Sequence, residues 1–562
     1  MAKKEEEHRD VDIELETIEG KAQEEKLGEV CAADTGPPNS VITMKILSRP
    51  DTLRLGQPIV IESDTLLYYS LIMRLYYPPN PTAERFANSP FTELIPPSDV
   101  EGVRGKEFYG LADMSCLKIL PKRNFDDINY QEFMREFDTI PPIFSIGRDV
   151  TEEEFNLIYQ ESEFTEAFGT LRGFHLEVPL DFAKLVKKPF GLFGRTGIGK
   201  SILNKILALF ILKHNVSQMV LFDMQGEYGL YSRADNTKGL AYFYQDKIQM
   251  YLLSTLKKGD TVIDGSEQFF VYKQNISASD IIASAQNLNE PTINVLYRIE
   301  DLVNNGTAGY DNLIDAIRNI DADIDGAINA HSLRALRNRI VRFDRYDFIT
   351  DKGSRTDEDS IQNMFTRLKE GKSLVVDFGQ YGANTHLYLF IANMITRRLY
   401  SIYNQKEDDP DLPPLTIILE EAHKFLQPNL IRYTVFDRIA REMRKFQLTL
   451  GFVDQRPSQI DEEVYSQIAN TFVMHMNDER DINTVVKTLP NSKKWKGVIT
   501  GLQKRQVFVR GDAIAVPTII DVLDYTDEEN LKKKLEINVP LSDTLQKLEK
   551  EDMSRLFLEE ED

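Results

Sequence analysis

Two short stretches hold the residue types that phosphate chemistry needs. The first is Gly194-Arg195-Thr196-Gly197-Ile198-Gly199-Lys200-Ser201, which reads G-x-x-x-x-G-K-S. Its glycines allow the backbone to fold around a phosphate chain with the N–H groups turned inward. Lys200 is spaced to reach β- and γ-phosphates, and Ser201 to hold Mg²⁺. The apolar run Pro189-Phe190-Gly191-Leu192-Phe193 leads in, and a helical pattern from Ile202 to Lys213 leads out. That strand, tight loop and helix are the context a phosphate loop requires and a chance glycine-rich turn lacks. The helix N-terminus adds a field that favours anions. The second stretch is Glu420-Glu421-Ala422-His423, which closes the apolar run Leu415-Thr416-Ile417-Ile418-Leu419. Paired carboxylates at the end of a buried strand, on the same chain as a phosphate loop, form a Walker B arrangement. Glu420 then faces the metal and its water shell, and Glu421 polarises the attacking water. His423 either joins this chemistry or makes a structural hydrogen bond.

Other candidates stand at similar places. The apolar run Gln218 to Phe222 ends in Asp223, then Met224-Gln225-Gly226-Glu227-Tyr228. In an open parallel sheet the strand C-termini line the ligand crevice, so Asp223 either approaches the Mg²⁺ water shell or caps a turn. The run Leu448 to Val453 ends in Asp454-Gln455-Arg456-Pro457-Ser458. Gln455 is placed to sense the γ-phosphate, or it is a turn amide. Arg441 and Arg444, in Ile439-Ala440-Arg441-Glu442-Met443-Arg444-Lys445-Phe446, are three apart and share a helix face. In a monomer they are surface charges. In a ring they can point across an interface at a neighbour's γ-phosphate. Two basic groups are less specific. Arg334, Arg337, Arg339, Arg342 and Arg345 scatter around one helix, either meeting phosphates or forming ion-paired surface. Lys493, Lys494, Lys496, Lys504 and Arg505 surround Trp495, either as a backbone-binding loop or as a solvated turn.

These stretches need a sheet to hold them, and the rest of the chain supplies its elements. A length of 562 residues exceeds one core. Residues 1–40 are charged and read as a flexible acidic tail. Residues 41–145 hold short β-rich runs separated by Pro, Gly, Asn and Asp, which predicts a small N-terminal β-barrel. Its tyrosines Tyr68, Tyr69, Tyr76 and Tyr77 are barrel packing or a ligand face. Residues 146–275 and 346–525 alternate buried strands with helices and form an α/β ATPase core in two parts. Thr151 and Glu154 read as a capping box at a helix start, and His175 to Leu180 as an edge strand. Residues 276–345 are helical by period and read as an inserted helical subdomain, and 526–562 as a charged helical tail. The net charge is −22. Much of it sits at the ends, where residues 1–30 carry 11 acids and 5 bases. A surface for nucleic acid would therefore have to be local, such as loops lining a channel. No apolar run approaches a membrane span, and the start is not that of a signal or transit peptide, so a cytoplasmic protein is expected. Cys31 and Cys116 make neither a metal cluster nor a disulfide framework.

The ordered set GRTGIGKS, DMQGEY, ILEEAH, IAREMRKF and VDQRPSQID resembles the HerA branch of the HerA/FtsK superfamily. The resemblance spans about 190 to 465. It departs from the usual pattern at Gln225, where the family commonly has His, and inside the phosphate loop. The resemblance implies a RecA-like ATPase with ATP and Mg²⁺ as cofactors. It implies a hexameric ring moving double-stranded DNA beside a NurA-type nuclease, or a ring scaffold controlling another effector enzyme, with no membrane anchor. By motif position Gly194 to Ser201 bind the nucleotide, Ser201, Asp223 and Glu420 face the metal, and Glu421 is the catalytic base. Arg441 or Arg444 is the arginine finger and Gln455 the polar sensor.

Overall fold

The computed structural model describes residues 26–36, 41–78, 109–122, 134–160, 162–232, 236–254, 266–285, 288–352, 358–405, 412–428, 430–442, 446–487, 489 and 492–537. Residues 538–562 of the stretch read as a charged helical tail lie outside them. The chain divides into two compact units.

The smaller unit is built on a closed six-stranded barrel. Its strands are β1 (Gly28–Asp34), β2 (Val41–Ile46), β3 (Pro58–Glu62), β4 (Leu66–Tyr76), β5 (Leu111–Pro121) and β6 (Ile146–Arg148). They follow one another around the barrel as β1-β2-β5-β4-β3-β6, every neighbouring pair antiparallel. Alternation fills the inside: Ile42, Met44 and Ile46 of β2 are buried and Val41, Thr43 and Lys45 are not. Val30, Ile59, Ile61, Tyr68, Ile72, Met114 and Ile119 complete the core. At the closing strand, a Cβ on Gly147 would stand 2.2 Å from Met44 Sδ, so a larger residue there would make the Met44 side chain move. Two expectations are corrected here. The barrel begins inside the stretch read as a tail, because Gly28–Asp34 supplies the strand that pairs with both β2 and β6. The basic run around Trp495 is the helix Ser492–Thr500, grouped with the barrel and lying against β4. Trp495 is buried and Lys494 pairs with Asp113 at 3.1 Å. An indole used in packing is not available to stack on a base. Tyr68 and Tyr69 are likewise core residues.

The larger unit carries most of a twelve-stranded sheet. In chain order its strands are β7 (Thr165–Leu171), β8 (Glu177–Asp181), β9 (Phe190–Phe193) and β10 (Gln218–Asp223). The short pair β11 (Tyr231–Ser232) and β12 (Thr237–Lys238) stands apart, and then come β13 (Ile248–Leu252) and β14 (Ser266–Gln268). A second short pair is β15 (Val271–Tyr272) and β16 (Ile349–Thr350). The sheet continues with β17 (Ser373–Asp377), β18 (Leu415–Glu420), β19 (Leu448–Asp454), β20 (Asn470–Val473), β21 (Gln506–Arg510) and β22 (Thr518–Val522). The order is β14-β13-β17-β10-β18-β19-β9-β20-β21-β22-β7-β8. From β14 to β20 all neighbours are parallel. Every residue of β10, β18 and β19 is buried, as strands covered on both faces must be. β8 ends the sheet, the edge position read for this segment. The helices Ala278–Ala285, Glu290–Asn304, Leu313–Asn319 and Ala330–Ile340 fall between β15 and β16 and group with this unit. Arg337 on the last of these caps the carbonyls of Ile317 and Ile320, and Arg342 in the turn Val341–Arg345 that follows caps that of Ser284, so these two arginines hold helix ends.

Candidate nucleotide site

Parallel pairing brings the tips of β17, β10, β18, β19, β9 and β20 to one edge. β9 runs into the phosphate loop, β19 and β20 flank it, and β18 lies one strand beyond β19. The register sets Asp454 beside Phe193, Glu420 beside Val453, and Asp223 beside Asp377. Carboxylates far apart in sequence therefore share one crevice.

The loop itself is held open by its backbone. Gly197 and Gly199 have φ of 73° and 108°, values that favour glycine. The N–H of Gly194 donates to the Asp454 carbonyl at 3.2 Å and that of Arg195 to the His475 carbonyl at 3.0 Å, fixing the loop to both flanking strands. The helix Lys200–His214 starts at Gly199. Lys200 Nζ donates to the Arg195 carbonyl at 3.1 Å, so the ammonium folds across the loop it serves. Burial lowers its pKa, opposed by Glu421, Asp454, Glu420 and Glu227, which fixes it among carboxylates. Thr196 donates its hydroxyl to the Gln455 side chain. An open cleft of about 740 Å³ adjoins this contact, lined by Arg195, Thr196, Gln455, Arg456, Asn477 and Arg480 among others.

The two Walker B carboxylates face different surroundings. Glu420 is buried and accepts a hydrogen bond from the Tyr228 hydroxyl, which in turn accepts from Asn204 Nδ2 at 3.0 Å. Tyr388 donates to the Glu420 carbonyl at 2.8 Å. Burial raises the Glu420 pKa to about 8; the Tyr228 bond opposes this and the charges of Glu227, Asp223 and Glu421 add to it. Glu421 turns the other way, with 32% of its side chain exposed. Its backbone is left-handed, at φ 49° and ψ 44°. His423 lies behind it: its backbone N–H and Nδ1 both meet Asp454, and its Nε2 stands 3.8 Å from Glu421 Oε2.

Asp223 takes the turn-capping role. Its two oxygens accept the N–H groups of Glu227 at 2.9 Å and Tyr228 at 2.8 Å, shaping the turn that delivers Tyr228 to Glu420. Burial lifts its pKa to about 6 against those bonds. Arg441 ends the helix Phe436–Glu442 and is paired within its own chain to Asp437 at 2.6 Å and to Glu463. Arg444 lies outside the described residues. Asp454, Tyr228, Asn204 and Glu227 were not singled out from the sequence. Their signal was position, three at strand tips or turns beside named motifs and one a turn along the phosphate-loop helix.

A divalent cation fits this donor set. Ser201 offers a hydroxyl at the loop, and the crowded acids raise one another's pKa, a cost that a cation removes. Among the described residues no three His, Cys, Asp or Glu side chains form a protein-only metal cage.

A phosphate loop on a parallel sheet, beside a strand ending in two acids, defines a P-loop ATPase. The family model described as the central domain of helicase HerA matches residues 166–399. The chain is 23% identical over 390 residues to the DNA double-strand break repair helicase HerA of Pyrococcus furiosus, covering 63% of this chain and 68% of the relative. The protein of the same name from Saccharolobus solfataricus is 22% identical over 390 residues, with 68% and 73% covered. Over these stretches the chain is similar to HerA helicases. Among solved structures, VirB4 of Thermoanaerobacter pseudethanolicus is similar at 13% identity and a TM-score of 0.44, covering 65% of this chain and 97% of that one. The bacterial conjugative coupling protein TrwBdeltaN70 is similar at 15% identity and a TM-score of 0.44, covering 67% and 92%.

Proposed function

We propose that the chain hydrolyses ATP within a ring of six copies and uses it to move double-stranded DNA, working beside a nuclease in DNA end processing. The observation that carries this reading is the nucleotide site itself, in a chain aligned over about two thirds of its length with relatives named DNA double-strand break repair helicases. In this reading the loop N–H groups and Lys200 hold the phosphates. Ser201 and Glu420 hold Mg²⁺, the latter through water, and the cation neutralises charge on the phosphates. Glu421 polarises the attacking water, and Gln455 reads the γ-phosphate through its contact with Thr196. Arg444 completes the neighbour's site, since Arg441 is engaged with Asp437 and Glu463. The helices of 276–345 form a subdomain inserted in the RecA-like core. ATP turnover with and without duplex DNA at low salt tests the reading. Stimulation by duplex is expected. A protein that hydrolyses ATP but ignores DNA would sink translocation and favour a ring scaffold that controls a partner enzyme.

A further inference from the structure

We propose that Asp454 is a positioning residue for hydrolysis, fixing Glu421 through His423 and tying it to the Gln455 loop. This rests on the reading of Glu421 as the group that polarises water. Asp454 is the last residue of β19 and has no solvent exposure. Its two oxygens gather three N–H groups: the backbone N–H of His423, the His423 ring through Nδ1 at 2.9 Å, and the backbone N–H of Arg456 at 2.7 Å. A fully buried carboxylate is stable only with such a set of donors.

The consequence falls on Glu421. Its left-handed backbone is unfavourable for a residue with a Cβ and persists only where the surroundings impose it. Here they do so from both sides. The Tyr388 hydroxyl holds the carbonyl of the residue before it. Asp454 holds the N–H of the residue two after it, at the start of the short 3₁₀ turn Ala422–Lys424. The His423 ring, gripped by Asp454 on one nitrogen, sets its other nitrogen beside the Glu421 carboxylate. Glu421 is thereby turned outward while Glu420 turns inward to Tyr228. The Arg456 N–H places the residue after Gln455 on the same anchor, and Gln455 reaches Thr196 of the phosphate loop. One buried carboxylate thus joins the group that reads the γ-phosphate to the group that acts on water.

The test uses the full chain and measures ATP turnover together with the affinity for a fluorescent ATP analogue. Asp454→Asn removes the charge and one acceptor while keeping the shape. It is expected to keep analogue affinity within about threefold and KM near wild type while kcat falls at least about tenfold. Introduced into Glu421→Gln, it is expected to cost nothing more, because both changes act on one group. Losses that multiply in the double variant, or a normal kcat in Asp454→Asn, would overturn the proposal. If Asp454→Asn does not fold, His423→Gln decides: it keeps the backbone N–H on Asp454 and removes the ring beside Glu421. A fall in kcat that disappears in the Glu421→Gln background supports the proposal, and an unchanged kcat refutes it. Normal turnover in Glu421→Gln alone would instead refute the assignment of Glu421 as base.

Discussion

At the scale of single residues, Lys200 and Glu421 are expected to separate binding from turnover. Lys200→Ala removes the cation at the phosphates and is expected to abolish ATP turnover and weaken nucleotide binding. Glu421→Gln keeps shape and hydrogen bonding but not the charge, so ATP should still bind while turnover falls by about 10²-fold or more. Filter binding of labelled ATP beside a phosphate-release assay checks both. Glu420 has a different signature. Its folded pKa of about 8 lies above the ordinary carboxyl range, so the folded state holds the proton more tightly than the unfolded one. Its contribution to stability is present at low pH and is lost as pH rises through 8. Glu420→Gln does not titrate. With metal chelated and no nucleotide, the variant should therefore melt above wild type at pH 8 and close to it at pH 5. The gap should widen by at most about 1.4 kcal/mol per pH unit. A gap that is constant with pH would mean the carboxyl is ionised in the fold.

At the scale of elements, β6 and the helix that follows it are joined by one buried ion pair. Arg148 Nη2 and Nη1 meet Glu154 at 2.7 and 3.0 Å, and its Nε meets Glu62 at 2.7 Å. Glu154 also closes the capping box with Thr151, reading the helix start Glu152–Ile158. Its side chain is 2% exposed. Arg148→Ala leaves that charge buried without its partner and should cost about 3–5 kcal/mol, seen as a lower midpoint in urea unfolding. Adding Glu154→Gln removes the stranded charge while keeping an acceptor for the Thr151 N–H, and should recover part of the loss. The same interval was reached from sequence, since Ser, Thr and Glu at this spacing read as a helix start whatever packs against it.

At the scale of the whole molecule the decisive quantity is assembly. With ATP and Mg²⁺ the protein should sediment or scatter as a hexamer. A monomer under those conditions would refute the ring. Arg444→Ala subunits mixed with wild type should lower turnover more than in proportion to their fraction, because each would damage a neighbour's site. A linear decline would place the arginine in its own subunit's site or in none. Among the described residues no helix is long and apolar enough to cross a membrane.

The sequence alone determined the parts of this protein that local chemistry specifies. The phosphate loop needs glycines and a lysine at fixed spacing. Walker B needs acids after an apolar strand, and a capped helix needs its Thr and Glu. Each of these was legible because its physics acts within about ten residues. The barrel strands were legible for the same reason wherever apolar residues alternate, as in β2. Tertiary structure decided the rest. Gly28–Asp34 became a strand because β2 and β6 complete its hydrogen bonds, in a stretch whose charged neighbours read as a tail. Trp495 became core because a helix packs it against the barrel, where basic neighbours had suggested a loop. Asp223 became a turn cap because two backbone N–H groups lie within reach of its oxygens. Asp454 met His423, and Tyr228 met Glu420, across 31 and 192 positions of chain. Such pairings follow from strand order in a parallel sheet, which spacing along the chain does not encode.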